Sequence, residues 1–185
     1  GAAGSPITYI GDYDGSHTDG VGGVVRITGS NNDRTATQLN CIYADAKHYR
    51  TFRGFVCDTA THYHIYANDS TNWIVEQCAI QSGGSISTAG IHLKGASQLN
   101  CTIRNCLFLP GRDYSILVYH TADVSNAGHV IENCLFPYVG HNEYAFNIQN
   151  VGGFTIRNCY MQGGIRTIAV VASPALGQTV TVNNC

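Results

Sequence analysis

The side chains with the most reactive chemistry in this chain are its eight cysteines, and their spacing limits what they can do. There is no C-x-x-C pair, and the two closest, Cys101 and Cys106, lie five residues apart. That spacing suits neither a zinc knuckle nor the disulfide lattice of a small secreted domain. His64 and His92 sit in short runs where polar and apolar residues alternate, and both are expected on the outer face of a strand. There an imidazole could pass a proton, with Lys94 close to His92, or hold a metal where His62 shares the face of His64, but exposed strand histidines beside Tyr63, Tyr66 and Tyr119 are the plainer expectation. Asp12, Asp14 and Asp19 gather among glycines in GDYDGSHTDGVGG (Gly11 to Gly23), oxygen donors of the kind that wrap Ca2+. The spacing and terminal Glu of an EF-hand loop are missing, so a solvated turn is the plainer expectation and no cofactor is required.

The elements that must position these groups emerge from a repeat. WIVEQCAI (Trp73 to Ile80), CTIRNCLF (Cys101 to Phe108), HVIENCLF (His129 to Phe136), FTIRNCYM (Phe154 to Met161) and VTVNNC (Val180 to Cys185) are copies of one pattern, and RTFRGFVC (Arg50 to Cys57) is a degenerate one. From Phe55 through Cys78, Cys106, Cys134, Cys159 and Cys185 the steps are 23, 28, 28, 25 and 26 residues, the period of a solenoid. A further β-branched or aromatic run precedes each motif: YHIYA, AGIHL, SILVY, AFNI and TIAVV, bounded by Gly, Asn, Asp and Ser. Within the motif, Asn105, Asn133, Asn158 and Asn184, with Gly54 and Gln77 as variants, occupy a one-residue corner. Asn is the non-glycine residue that best tolerates a left-handed backbone. Each period therefore folds into three short strands.

This pattern resembles the right-handed parallel β-helix of the pectin-lyase-like superfamily. The resemblance rests on the stacked apolar-x-Asn-Cys-x-apolar motifs and on GAAGSPITYIGD at the start, and covers essentially the whole chain. It implies an all-β solenoid of about six to seven coils with three short strands each, in one domain: opening coils over 1–48 and regular coils over 49–185. Members of that superfamily include polysaccharide lyases and hydrolases, phage tail spikes, adhesins and inert scaffolds, so the fold alone does not choose a function.

In such a helix, equivalent residues of successive coils stack about 4.8 Å apart, so each aligned column is a row of side chains. The row Cys78, Cys106, Cys134, Cys159 and Cys185 is flanked by apolar residues and points inward, where free cysteine packs as a small hydrophobe. Parallel Cβ atoms at that spacing lie beyond the roughly 3.5–4.5 Å of a disulfide, so the thiols are expected free, formed in a reducing compartment. The asparagine row is expected to share amide hydrogen bonds from coil to coil.

The residues just before that row read Arg53, Glu76, Arg104, Glu132, Arg157, with alternating sign, which suits a salt-bridge ladder. As an alternative catalytic pair, Glu76 and Glu132 would be about 10 Å apart, at the far edge for an inverting glycosidase, with arginines keeping both ionised. The paired-aspartate pattern of the superfamily's pectin hydrolases is missing, and only Lys94 and Arg112 offer the basic group of its lyases.

Composition narrows the classes further. The chain has 21 Gly, three Glu, two Lys and 12% charged residues, which starves it of helix formers and of the basic stripe a nucleic-acid binder needs. No apolar run approaches the roughly 20 residues of a membrane span. Tyrosines and histidines among few charges suit stacking on sugar rings. The expectation is a rigid segment of a virion or cell-surface appendage (tail spike, fibre or adhesin), extracellular or on the virion, with polysaccharide as a partner. A solenoid also exposes its ends, so self-association as a homotrimer or end-to-end stack is expected. The alternatives are a polysaccharide lyase or hydrolase domain and a purely structural filament subunit.

Overall fold

The computed structural model describes residues 1–12, 14–16, 20, 22–29, 39–80, 89–109, 113–124, 126–137, 144–162, 168–171 and 179–185, without the side chain at 123. Short β-branched and aromatic runs form strands, and glycine, asparagine and aspartate turn the chain between them. The first coil holds β1 (Ile7–Ile10), β2 (Val25–Thr28) and β3 (Asn40–Asp45). Five regular coils follow. They are β4 (Arg50–Arg53), β5 (Phe55–Asp58) and β6 (Tyr63–Asn68); β7 (Trp73–Glu76), β8 (Ala79–Ile80) and β9 (Ala89–Lys94); β10 (Thr102–Arg104), β11 (Leu107–Phe108) and β12 (Tyr114–Val124); β13 (His129–Glu132), β14 (Leu135–Phe136) and β15 (Tyr144–Val151); and β16 (Phe154–Arg157), β17 (Tyr160–Met161) and β18 (Ile168–Val171). β19 (Val180–Asn183) continues the first sheet. The regular solenoid thus has about five turns, slightly fewer than the six to seven expected.

Every third strand pairs in parallel, giving sheets ordered β1-β4-β7-β10-β13-β16-β19, β2-β5-β8-β11-β14-β17 and β3-β6-β9-β12-β15-β18. The register is set by what must be inside. Val75, Ile103, Ile131 and Ile156 align in the first sheet, and Ile80, Phe108 and Phe136 follow one another in the second, with the two phenylalanine rings stacked at 4.8 Å. In the third sheet Ile65, Ile91, Ile116 and Phe146 align. All are buried, and each such side chain contributes about 1.5–3 kcal/mol by leaving water. A one-residue slip would move a whole row to the surface, which locks each coil onto the one before.

The corner between the first two sheets uses the left-handed backbone: Gln77, Asn105, Asn133, Asn158 and Asn184 have φ between +52° and +54°, and Gly54 has +75°. Asn184 Nδ2 donates to Asn158 Oδ1 at 3.3 Å, an amide–amide hydrogen bond from one coil to the next. Another corner requires glycine. Gly128 has φ +67°, and a Cβ there would collide with the Asn100 side-chain oxygen.

Candidate functional site

The third sheet carries two rows of inward apolar residues and, between them, one outward row. Because Ile42, Ile65, Ile91, Ile116 and Phe146 fix the register, the outward row reads Tyr43, Tyr66, His92, Leu117 and Asn147. The Tyr43 and Tyr66 rings stack with centroids 5.4 Å apart and planes 12° from parallel. Tyr63 extends the surface, stacking on Tyr66 at 5.2 Å and 16°. His92 packs against both, 4.5 Å from Tyr63 and 5.2 Å from Tyr66. Tyr43 is 60% exposed, Tyr63 and Tyr66 are half-buried, and His92 is buried. The result is a continuous aromatic platform, resting at one end on an imidazole.

A polar border runs alongside, formed by the next outward row: Asp45, Asn68, Lys94, Tyr119 and Gln149. Asn68 Nδ2 donates to Asp45 Oδ1 at 2.7 Å and to Asp69 Oδ2 at 3.3 Å, while the Ser97 backbone N–H holds Asp69 Oδ1 at 2.9 Å. Burial, and then the neighbouring Tyr66, pushes the Tyr63 phenol above its ordinary value. Burial, and then Tyr43, does the same for Tyr66. Both therefore stay neutral hydroxyls through the physiological range. Burial, reinforced by Lys94, lowers His92 to about 4, so its ring is also neutral. Flat uncharged rings bordered by carboxylate, amide and ammonium groups can stack on the apolar face of a pyranose while bonding its hydroxyls.

The shared position and the solvent exposure expected of the two histidines are corrected. His64 is fully buried, level with Gly90 between the Tyr63–Ala89 and Ile65–Ile91 pairs. His92 lies one register place away, opposite Tyr66, and is only 4% exposed. The reason is that the isoleucines, not the histidines, align the two strands. His92 thus supports the tyrosines from beneath rather than reaching solvent, and Lys94 stands in the polar border beside it.

The arginine–glutamate row forms two units rather than one unbroken ladder. Buried Glu76 takes Arg53 on Oε1 at 2.5 Å and Arg104 on Oε2 at 2.6 Å. Glu132 takes Arg157 through both Nε and Nη2, at 2.8 and 2.6 Å. Arg104 therefore turns to one carboxylate instead of lying between two. Burial alone would raise the Glu76 carboxyl, but the hydrogen bonds from Arg104 and Arg53 outweigh it and hold it below the ordinary value. An acid that must stay protonated cannot be this residue.

In the opening loop, the Asp14 carboxylate accepts the Ser16 N–H at 3.1 Å and its hydroxyl at 2.7 Å, bonds that lower its pKa. Asp19 and Arg112 lie outside the described residues. Among the described residues no three His, Cys, Asp or Glu side chains, Asp12 and Asp14 included, converge on one point where a metal ion could sit. All eight cysteines are free thiols, buried at Cys78, Cys106, Cys134 and Cys159 and exposed at Cys185.

Two features had a signal in the sequence that strand alignment alone passes over. Tyr43 belongs to CIYAD, which repeats HIYAN 23 residues ahead of it, and so completes the aromatic row. His120 and His129 meet across coils with Nε2 atoms 3.3 Å apart, both buried. Trp73, by contrast, is a core residue whose Nε1 donates to the Lys47 carbonyl at 2.6 Å.

Comparison with known families agrees with this architecture. The family model described as a right-handed β-helix region matches residues 89–185, just over half of the chain. No curated protein and no solved structure matches it. The parallel three-sheet coil, its asparagine corners and this match together place the chain in the right-handed β-helix family.

Proposed function

We propose that this chain is the rigid β-helical segment of a virion or cell-surface appendage, and that the outer face of its third sheet binds polysaccharide. The observation that carries the reading is the stacked platform of Tyr43, Tyr66 and Tyr63 on His92. A core residue stacks because it is enclosed. Tyr43 stacks while 60% exposed, and an aromatic face left in water beside fixed polar groups is what a sugar ring covers well. A solenoid suits a polymer partner because it repeats the same lateral position at every coil, so a glycan chain can lie along several coils at once.

The test is binding of the purified chain to an array of bacterial surface and uronic-acid polysaccharides, followed by titration of the best glycan. Tyr43→Ala and Tyr66→Ala are expected to weaken binding about tenfold or more each, the scale of about 1.4 kcal/mol. Tyr160→Ala, an exposed tyrosine on the second sheet, is expected to leave it unchanged. Equal binding by all three variants, or no glycan bound by the parent chain, overturns the reading. Release of unsaturated or reducing ends from a bound polysaccharide would replace it with an enzymatic one.

A further inference from the structure

Arg50 is an exception among the arginines. Arg26, Arg53, Arg104 and Arg157 each hold a carboxylate, whereas Arg50, the remaining described arginine, holds none. Its direction is unusual too. Arg50 aligns with Trp73, and Phe52 with Val75, all three of these neighbours being buried. Alternate residues of a strand share a face, so the Arg50 side chain is directed to the inner side of the first sheet. Further along the same sheet, His129 and Phe154 stand opposite each other as the first pair of their strands, buried and uncharged. The Arg50 Nη1 atom is shut off from water and has no hydrogen-bond partner. A guanidinium facing apolar side chains without an anion is costly, since the charge has given up water and gained nothing in return.

What lies in front of it is a cavity of about 370 Å³, between β1 and β3 of the first coil and β4 and β7 of the next two. That size lies within the range of small-molecule sites, roughly 300–1,000 Å³. Phe52, Trp73, Ile42 and Ala44 supply apolar walls, and the exposed Tyr9 and Tyr43 stand at its edge. The rings are set by one another: Tyr9 stacks on Phe52 at 4.9 Å and 7° from parallel, and Phe52 packs on Trp73 at 5.0 Å. Lys47 brings a second cation to the lining. Its turn is held by two bonds, from Trp73 Nε1 to the Lys47 carbonyl at 2.6 Å and from the Lys47 N–H to Ser70 Oγ at 3.2 Å. Among the described residues no carboxylate lines the cavity, so two positive charges stand there unopposed.

We infer that this cavity is a binding site for a small aromatic anion, whose carboxylate or phosphate accepts hydrogen bonds from Arg50 and Lys47 while its ring packs on Phe52 and Trp73. The planar guanidinium matches either anion, and it supplies the partner that Nη1 lacks. The apolar walls account for the rest of the ligand: a bare inorganic anion would satisfy the charges and leave the aromatic surface in water. Because the rings already fix one another, little side-chain ordering is left to oppose binding.

The experiment titrates the full chain with phenylacetate, phenyl phosphate and the neutral phenethyl alcohol, followed by the fluorescence of Trp73, the only tryptophan and a wall of the cavity. On the unmutated protein at least one of the two anions is expected to bind about tenfold or more tighter than the alcohol, and about tenfold tighter than acetate or inorganic phosphate in competition. Phenylacetate ahead of phenyl phosphate identifies a carboxylate ligand, and the reverse order a phosphate ester. Arg50→Met keeps the length of the side chain and should abolish the preference for anion over alcohol, with a urea midpoint no lower than the parent's, because an unpartnered charge has been removed. Lys47→Ala should weaken the doubly charged phenyl phosphate more than phenylacetate. Arg157→Met loses the same charge from the outer row and should leave all affinities unchanged. Equal affinity for anions and alcohol on the parent chain overturns the proposal without recourse to any variant, as does a preference that survives Arg50→Met or is lost equally in Arg157→Met. No probe carries a sugar, so this outcome is separate from that of the glycan reading.

Discussion

Acid should destabilise this protein well before its carboxylates protonate, because three imidazoles are buried in neutral form. Burial lowers His92 to about 4, helped by Lys94; it lowers His120 to about 4; and it lowers His129 to about 3, helped by the facing His120. An unfolded histidine titrates near 6.5. The folded values lie below the unfolded one, so stability is complete above about pH 7 and is lost as pH falls, since the unfolded chain takes up protons that the folded chain refuses.

For a single group moving from a folded value of about 4 to an unfolded 6.5, the loss between about pH 7.5 and pH 5 is about 2 kcal/mol. Three such groups give an upper bound of about 6 kcal/mol, of the order of a whole domain's stability. The ionised Glu76 works in the same direction, but its lowered value places its loss at lower pH, beneath the histidine window. The assay is urea unfolding followed by the fluorescence of Trp73, the only tryptophan and 1% exposed, at about pH 7.5, 6 and 5. His129→Phe replaces the ring by one that its column already accepts at Phe154, and should flatten the pH dependence by about 2 kcal/mol. An unfolding midpoint that stays constant from pH 7.5 to 5, or a His129→Phe profile parallel to the parent's, refutes the reasoning.

Four other outcomes follow from the same geometry. Glu76→Gln leaves the Arg53 and Arg104 guanidinium groups facing a neutral amide and should cost about 1–3 kcal/mol by urea midpoint, whereas Glu132→Gln, which loses one more exposed arginine, should cost under about 1 kcal/mol. Asn133→Ala keeps a β-carbon at φ +53° but loses the amide that makes this backbone tolerable, and should cost about 1 kcal/mol; Asn133→Gly removes the β-carbon, so the difference between the two in thermal midpoint reports the cost of a side chain at the left-handed corner. Phe136→Ala removes a fully buried ring stacked on Phe108 and should cost about 3–5 kcal/mol, read by chemical denaturation. Gly128→Ala should lower the melting temperature, because its φ of +67° strains an L side chain and a methyl group would have to displace the Asn100 side-chain oxygen.

Much of the fold is legible in the amino-acid sequence. The step from Cys78 to Cys106 to Cys134 repeats a whole coil, and a residue that tolerates positive φ stands ahead of each cysteine, so strand, corner and strand could be read directly from WIVEQCAI, CTIRNCLF and their relatives. The paired charges of Arg53 and Glu76 were equally visible, because column neighbours in a parallel stack are fixed once the period is known.

What tertiary structure decided was side-chain fate. His92 and His64 alternate with apolar residues as outward groups would, yet one lies beneath two tyrosines and the other is enclosed, since register follows the isoleucine rows and burial depends on chain far away in sequence. Arg104 had a carboxylate available in the next coil as well as the previous one, and the more deeply buried Glu76, needing two donors, took it. The aromatic platform belongs to the same class: Tyr43 and Tyr66 are 23 residues apart in the chain, and only the rise of one coil brings their rings face to face. Periodicity is a local property that sequence encodes directly, whereas which face of a row remains in water is settled by the summed packing of every coil around it.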